Sequence, residues 1–198
     1  RFAGGFIPLF QAHPLVGKVA IAEMMPDRRA EHAAKFNITD TYASLDELCG
    51  NPSIDAIALF TPRHLHGQQV LQILNAGKHV YSAVPIAGSI DEIRQIVDLV
   101  TKTRLIYMVG ETGYYYPCAI FCRDKIRSGE FGKFVYGEGD YIHDMSRMYG
   151  SYQSSGGKDW KRIAGFPPMH YATHSISIVI SVTGSYLTKV ACLGIEDT

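Results

Sequence analysis

The sequence predicts an α/β protein built on a doubly wound parallel sheet. Three observations carry that expectation. Short apolar or β-branched runs alternate with helical segments between residues 18 and 109, the connections are short, and the strongest run, residues 55–61 (DAIALFT), is almost continuously apolar. Strands joined through helices by short connections run parallel with right-handed crossovers, and a strand covered on both faces reads as an unbroken apolar run.

Each element has its own local reason. Residues 18–23 (KVAIAE) form a β-branched run ending in an acid, and Pro26 and Asp27 then open a helix of alanines and charges to residue 37. Ser44 takes an N-cap position with Glu47 three residues on, the capping-box spacing, in a helix over 44–49. The 55–61 strand follows, then a helix over 64–75 closed by Ala76-Gly77, a strand over 79–83, a helix over 89–103 and a strand over 105–109. Around Pro117 the texture changes. A helix to about residue 127 precedes 131–140, where Gly, Tyr and Phe interleave at the period of two that strands show. A second, sheet-containing domain is expected there, with the first domain at 1–115 and the second at 116–198. Residues 188–193 also read as strand. Residues 151–168, carrying Gly156-Gly157, Trp160 and Pro167-Pro168, lack periodicity and are expected to form a functional loop.

Composition narrows the function. The 198 residues amount to one domain and part of another, and 46% hydrophobic with 19% charged residues excludes intrinsic disorder. Nineteen Lys plus Arg balance nineteen Asp plus Glu, so there is no global positive field for a nucleic acid or an anionic membrane. No apolar run approaches the roughly 20 residues that span a bilayer, and no signal-peptide pattern precedes the first helix, so the expected location is cytoplasmic. Cys118 and Cys122 stand four apart on a predicted helix face and could clip a metal, but Cys49 and Cys192 have no ligand-like neighbours. The four read as buried free thiols.

Ligands of doubly wound sheets bind beyond the carboxyl ends of the strands. At residues 1–5 (RFAGG) a glycine turn ahead of the apolar helix 6–12 offers free N–H groups to a pyrophosphate, making Arg1 and Phe2 candidate contacts. A GxGxxG fingerprint and its strand are then expected upstream of Arg1, and a flexible terminus is the alternative. Glu23, at a strand end about twenty residues on, can accept two hydrogen bonds from an adenosine ribose while repelling a 2′-phosphate, which favours NAD over NADP. A solvated acid is its alternative. Thr61, Pro62 and His66 lie directly after the most apolar strand, with His66 expected to face the crevice.

The TPxxxH pattern of 61–66, together with AGKHV at 76–80, MVG at 108–110, GEFG at 129–132 and the 170–184 segment, resembles the Gfo/Idh/MocA family of NAD(P)-dependent sugar and inositol oxidoreductases. The resemblance covers nearly the whole chain. It implies a Rossmann domain followed by an α/β domain on an open, mainly antiparallel sheet, and homodimers or homotetramers formed through that sheet. Family members follow the AGKHV strand with Glu-Lys-Pro, whose lysine contacts the reacting hydroxyl. Here the residues are Ala83-Val84-Pro85, with Val84 and Pro85 at the cofactor-contacting positions.

The segment 167–175 (PPMHYATHS) resembles the family's Asp-x-x-x-His, with His170 in the aspartate position and His174 in the histidine position. Positions i and i+4 share a helix face, so His174 can accept the hydroxyl proton while His170 orients or relays it. A structural pair, or a metal site completed by Asp144 or His143, are the alternatives. Glu111, Tyr114, Tyr115, Tyr116, His143, Trp160 and Tyr171 are candidate sugar contacts, since rings suit a sugar's apolar face and polar groups its hydroxyl rim. The expectation is an NAD-dependent oxidoreductase that transfers hydride at a ring carbinol of a sugar, sugar derivative or polyol. A redox-neutral NAD-dependent glycosidase and a non-catalytic sugar or nucleotide sensor are the alternatives.

Overall fold

The structure, a computed structural model, describes residues 2–163 and 172–195. They fall into two compact units: residues up to 60 with 68–82 and 94–108, and residues 61–67 and 83–93 with those from 109 onward.

The first unit carries the parallel strands. Helix α1 (Phe2–Ala12) leads to β1 (Ile21–Ala22), α2 (Pro26–Phe36), β2 (Thr41–Tyr42), α3 (Leu45–Gly50) and β3 (Ala56–Leu59). Helix α4 (His66–Asn75), β4 (His79–Ser82), α5 (Ile90–Thr103) and β5 (Tyr107–Val109) follow, the first residues of α4 and α5 being counted with the second unit. β1 pairs with β2 in parallel, and β4 lies between β3 and β5. The β3–β4 ladder is parallel, in register from Ala56 opposite His79 to Leu59 opposite Ser82. Parallel neighbours cannot be joined by a tight turn, and α4 is the crossover between them.

The caps follow the sequence. Pro26 opens α2, whose C-cap Asn37 is left-handed at φ 52°. Ser44 Oγ accepts the Glu47 N–H, while Glu47 Oε2 accepts from Ala43 N at 2.8 Å, one residue earlier than the standard capping box. Gly77, at φ 76°, ends α4 in the region glycine enters freely. Val70, Ile73 and Leu74 form the buried stripe of α4 at the i, i+3, i+4 spacing, and Ile57, Leu59, Val80 and Ile96 are buried with them. Each such side chain contributes about 1.5–3 kcal/mol of burial. Lys78 is only 5% exposed, and its Nζ donates to Asn51 O at 2.6 Å and Ile54 O at 2.7 Å.

The second unit is helical among the described residues. Among the described residues it holds four 3-10 turns, Arg63–Leu65, Thr112–Tyr115, Met145–Met148 and Gly157–Asp159, with α6 (Pro117–Arg127), α7 (Tyr149–Gly156), α8 (Trp160–Ile163) and α9 (Thr173–Thr183). α6 and the 112–115 turn both pack on α9.

Five expectations are corrected here. The glycines of 1–5 form no turn ahead of a helix: α1 starts at Phe2 and takes Gly4 and Gly5 into its first turn. The 64–75 helix begins with a 3-10 turn at Arg63–Leu65, closed by the Leu65 N–H donating to Pro62 O at 2.9 Å, and the α-helix starts only at His66. Residues 131–140 and 188–193 form no strand, since alternation supplies a pleat but a strand needs a ladder partner, and none is present among the described residues. The 151–168 segment is helical as far as residue 163, with its prolines outside the described residues. The cysteines are free but not buried: Cys118 and Cys192 are exposed, and Cys49 and Cys122 half-buried. Among the described residues no helix is long and apolar enough to cross a membrane, and no three His, Cys, Asp or Glu side chains cluster as a metal site.

Candidate active site

Within the second unit, the segment after β3 and the segment after β4 are tied together by His66. The ring is 1% exposed, with Nδ1 2.8 Å from Pro85 O and Nε2 3.0 Å from Thr61 O. With both nitrogens against main-chain carbonyls, the buried ring ties the two loops together. Gly67 beside it is obligatory, because a Cβ there would fall 2.6 Å from the Glu92 carboxyl carbon and 2.9 Å from Ala87 Cβ. Val84 and Pro85 are buried, so the position where the resembling family has lysine holds an apolar side chain with no proton to exchange. His64 has a buried Nδ1 with no hydrogen-bond partner among the described residues. Burial first, then His66 and Arg63, hold its pKa below the ordinary histidine value.

The centre of the unit is a carboxylate–imidazole pair from residues 63 apart in sequence. Glu111 follows β5 and caps the 112–115 turn, its Oε1 accepting the Gly113 N–H at 2.8 Å. The same oxygen lies 2.8 Å from Nδ1 of His174 in the first turn of α9. An ionised carboxylate only accepts, so with Glu111 ionised and the ring neutral this geometry suits an Nδ1–H donating to it and a lone pair on Nε2. Both side chains are largely buried, and the second oxygen of Glu111 is a buried acceptor with no hydrogen-bond partner among the described residues.

Tyr141 covers the pair. Its ring lies 4.5 Å from that of His174 and 5.4 Å from that of His143. Burial raises the Tyr141 pKa, as do the negative charge of Glu111 and the neighbouring Tyr116 and Tyr152 phenols. The segment before it is seated on α9: a Cβ on Gly139 would collide with the Ser175 carbonyl, and one on Gly137 would lie 3.2 Å from Val179 Cγ1.

The remaining candidates are placed as follows. Tyr114 and Tyr115 stack edge to face at 5.0 Å, with Arg123 4.3 Å over the Tyr114 ring. Trp160 stacks on Tyr149 at 5.6 Å, and His143 is exposed. His170, Tyr171 and Arg1 lie outside the described residues. The pattern reading paired His174 with His170, which lies outside the described residues, and the structure sets Glu111 beside His174. Tyr141 was missed, and its only sequence signal is the Tyr-Ile-His-Asp run that also supplied His143.

In the first unit, Glu23 stands at the end of β1, where its Oε1 accepts the Met25 N–H at 3.0 Å and its carbonyl accepts from Arg29 at 2.7 Å. α1 has no acidic residue in its first turn, and a Cβ on Gly5 would meet nothing within 4 Å. The first-turn N–H groups and positive dipole end of a helix suit a diphosphate, and a strand-end carboxylate suits ribose hydroxyls, so the chemistry of these residues fits a dinucleotide. Phe2 is 60% exposed and packs on the rings of Phe6 and Phe60.

Parallel strands joined by helices, with candidate residues following the strands in sequence, are the layout of a dinucleotide-binding α/β protein. Residues 2–111 match the oxidoreductase family with an NAD-binding Rossmann fold, Gfo/Idh/MocA, and the chain belongs to that family. Levoglucosan dehydrogenase of Pseudarthrobacter phenanthrenivorans is 27% identical over 193 residues, 94% of this chain and 48% of that protein. A glycosyl hydrolase family 109 protein of a Shewanella species is 30% identical over 125 residues, 60% of this chain and 27% of its own. The solved complex of levoglucosan dehydrogenase with NADH and levoglucosan has a TM-score of 0.75 at 26% identity, covering 93% of this chain and 50% of that one. Scyllo-inositol dehydrogenase from Lactobacillus casei, with bound NAD(H) and scyllo-inositol, shares the fold at a TM-score of 0.75 and 19% identity, covering 93% of this chain and 54% of that one. This chain therefore spans about half the length of these relatives or less.

Proposed function

We propose that the chain carries the nucleotide-binding and proton-transfer residues of an NAD-dependent oxidoreductase acting on a sugar, sugar derivative or polyol at a ring carbinol. The observation that carries this reading is the contact of Glu111 Oε1 with His174 Nδ1 at 2.8 Å. A secondary alcohol loses a proton from oxygen as it loses a hydride from carbon, and His174 takes that proton at Nε2 while Glu111 stabilises the imidazolium. NAD, when bound, would supply the hydride acceptor. His170 is assigned the relay. Tyr114, Tyr115, His143, Trp160 and Tyr171 are assigned the sugar, and the buried second oxygen of Glu111 adds a hydroxyl acceptor to the set. In the first unit, Arg1, Phe2 and Glu23 are assigned the adenosine and diphosphate groups, with Glu23 favouring NAD over NADP. In the second, Thr61, Pro62, Val84 and Pro85 are assigned cofactor contacts, and His66 acts through the loops it ties. The protein is proposed to be a cytoplasmic homodimer or homotetramer.

A specific observation favours a second reading, a redox-neutral glycosidase. Val84 supplies no ammonium, whereas the Tyr141–His174 stack supplies two proton carriers side by side. Oxidising one hydroxyl acidifies the adjacent C–H. One group takes that proton, the glycosidic oxygen leaves with another, water adds, and the hydride returns to carbon, leaving NAD unchanged. The test is to denature the full-length protein, quantify released NAD and NADP, and then incubate native protein and NAD with polyols or with glycosides. NADH accumulating with a polyol supports the dehydrogenase, and sugar release without net NADH supports the glycosidase. His174→Asn should abolish either. Failure to bind either nucleotide would overturn both.

A further inference from the structure

Arg123, on α6, touches none of the proposed proton-transfer residues, yet it joins the two elements that carry them. Its Nε donates to Ser181 O at 3.0 Å, and its Nη2 donates to Tyr114 O at 2.5 Å and also to Ser181 Oγ. Ser181 is buried and itself donates to Tyr114 O at 3.3 Å. Tyr114 belongs to the 3-10 turn that Glu111 caps. Ser181 lies two helical turns beyond His174 and so on the same face of α9. Midway along that face, a Cβ on Gly113 would fall 3.0 Å from Ser177 Oγ and 3.4 Å from His174 O. The turn and the helix thus meet along His174, Ser177 and Ser181, with the Glu111 hydrogen bond at one end and the guanidinium at the other. The planar fork of an arginine fixes both partners at once, which a single ammonium cannot do.

Resting on the reading of Glu111 and His174 as the proton-transfer pair, we propose that Arg123 is a positioning residue that sets the His174 tautomer by holding the 112–115 turn against α9. If the clamp opens, Glu111 Oε1 withdraws from Nδ1, and the ring reverts to the Nε2–H tautomer that neutral histidine prefers in water. The lone pair then sits on the wrong nitrogen for accepting a substrate proton.

The experiment reads the tautomer rather than turnover. Imidazole nitrogen shifts are recorded on the full-length protein labelled at histidine, at a pH where the ring is neutral, with His174→Asn to assign the signal. Wild type should show Nδ1–H at His174. Arg123→Met should lose it to Nε2–H, Arg123→Lys should retain part of it, and Ser181→Ala should shift it in the same direction by less. A folded Arg123→Met protein with the wild-type tautomer overturns the proposal. Should that variant fail to fold, a folded Ser181→Ala protein with an unchanged tautomer does so equally. Nε2–H already present in wild type would instead overturn the reading of the Glu111–His174 pair, and this role for Arg123 with it.

Discussion

Replacing Lys78 by Met should cost the protein about 2–3 kcal/mol. The stem of Lys78 is buried, and Met fills nearly the same volume, so loss of packing is small. What disappears is the pair of ammonium hydrogen bonds to Asn51 O and Ile54 O. Bonds to a charged donor contribute about 1.5–3 kcal/mol each, which would sum to ~3–6 kcal/mol. Two offsets reduce that figure. Asn51 and Ile54 are only half-buried, so water reaches the released carbonyls, and the variant no longer pays to bury a cation. At about 2–4 °C per kcal/mol for a chain of this length, the midpoint of thermal unfolding should fall by roughly 4–12 °C. The assay is circular dichroism melting of wild type, Lys78→Met and Lys78→Ala, with denaturant titrations to supply the free energies. Alanine should cost more than methionine by the lost stem. A methionine variant within about 0.5 kcal/mol of wild type would refute the reasoning, because the two contacts would then have no net value.

Gly139→Ala drives a Cβ into the Ser175 carbonyl, so the 137–141 segment must lift from α9; the expected cost is about 1–3 kcal/mol in urea titrations, with loss of the Tyr141–His174 stack seen as a shift of the tyrosine resonances. His64 titrates lower in the folded than in the unfolded chain, so the unfolded state binds more protons and stability falls as the pH drops through the unfolded value near 6.5. His64→Gln should therefore flatten the change in urea midpoint between about pH 7.5 and 5.5, and an unaltered slope would count against the assignment. Glu23→Ser removes the charge that repels a 2′-phosphate, and the ratio of NADP to NAD affinity by calorimetry should rise.

Local order was legible because its causes are local. Pro26, Ser44 with Glu47, and Ala76-Gly77 act on backbone groups within a few residues, and the helices they bound appear where expected. The apolar 55–61 run likewise became the strand β3. Residues 131–140 show the limit of that kind of reading: their alternation is real, but pairing depends on a neighbour that a local window does not contain. The site was legible by residue type and not by partnership. Glu111 and His174 were each singled out, one for substrate and one for proton transfer, yet a contact across 63 positions leaves no periodic trace. For His66, pattern alone does not reveal that Pro85 and Thr61 present carbonyls to its two ring nitrogens.

The wide separation of Glu111 and His174 also has a meaning in time. Chain growth runs from the N-terminus, so the strands β1 to β5 leave the ribosome well before His174 does. A nascent protein can hold a formed parallel sheet and strand-end carboxylate before His174 has met Glu111. Only when α9 has emerged can His174 meet Glu111, so a chain halted before it lacks that contact.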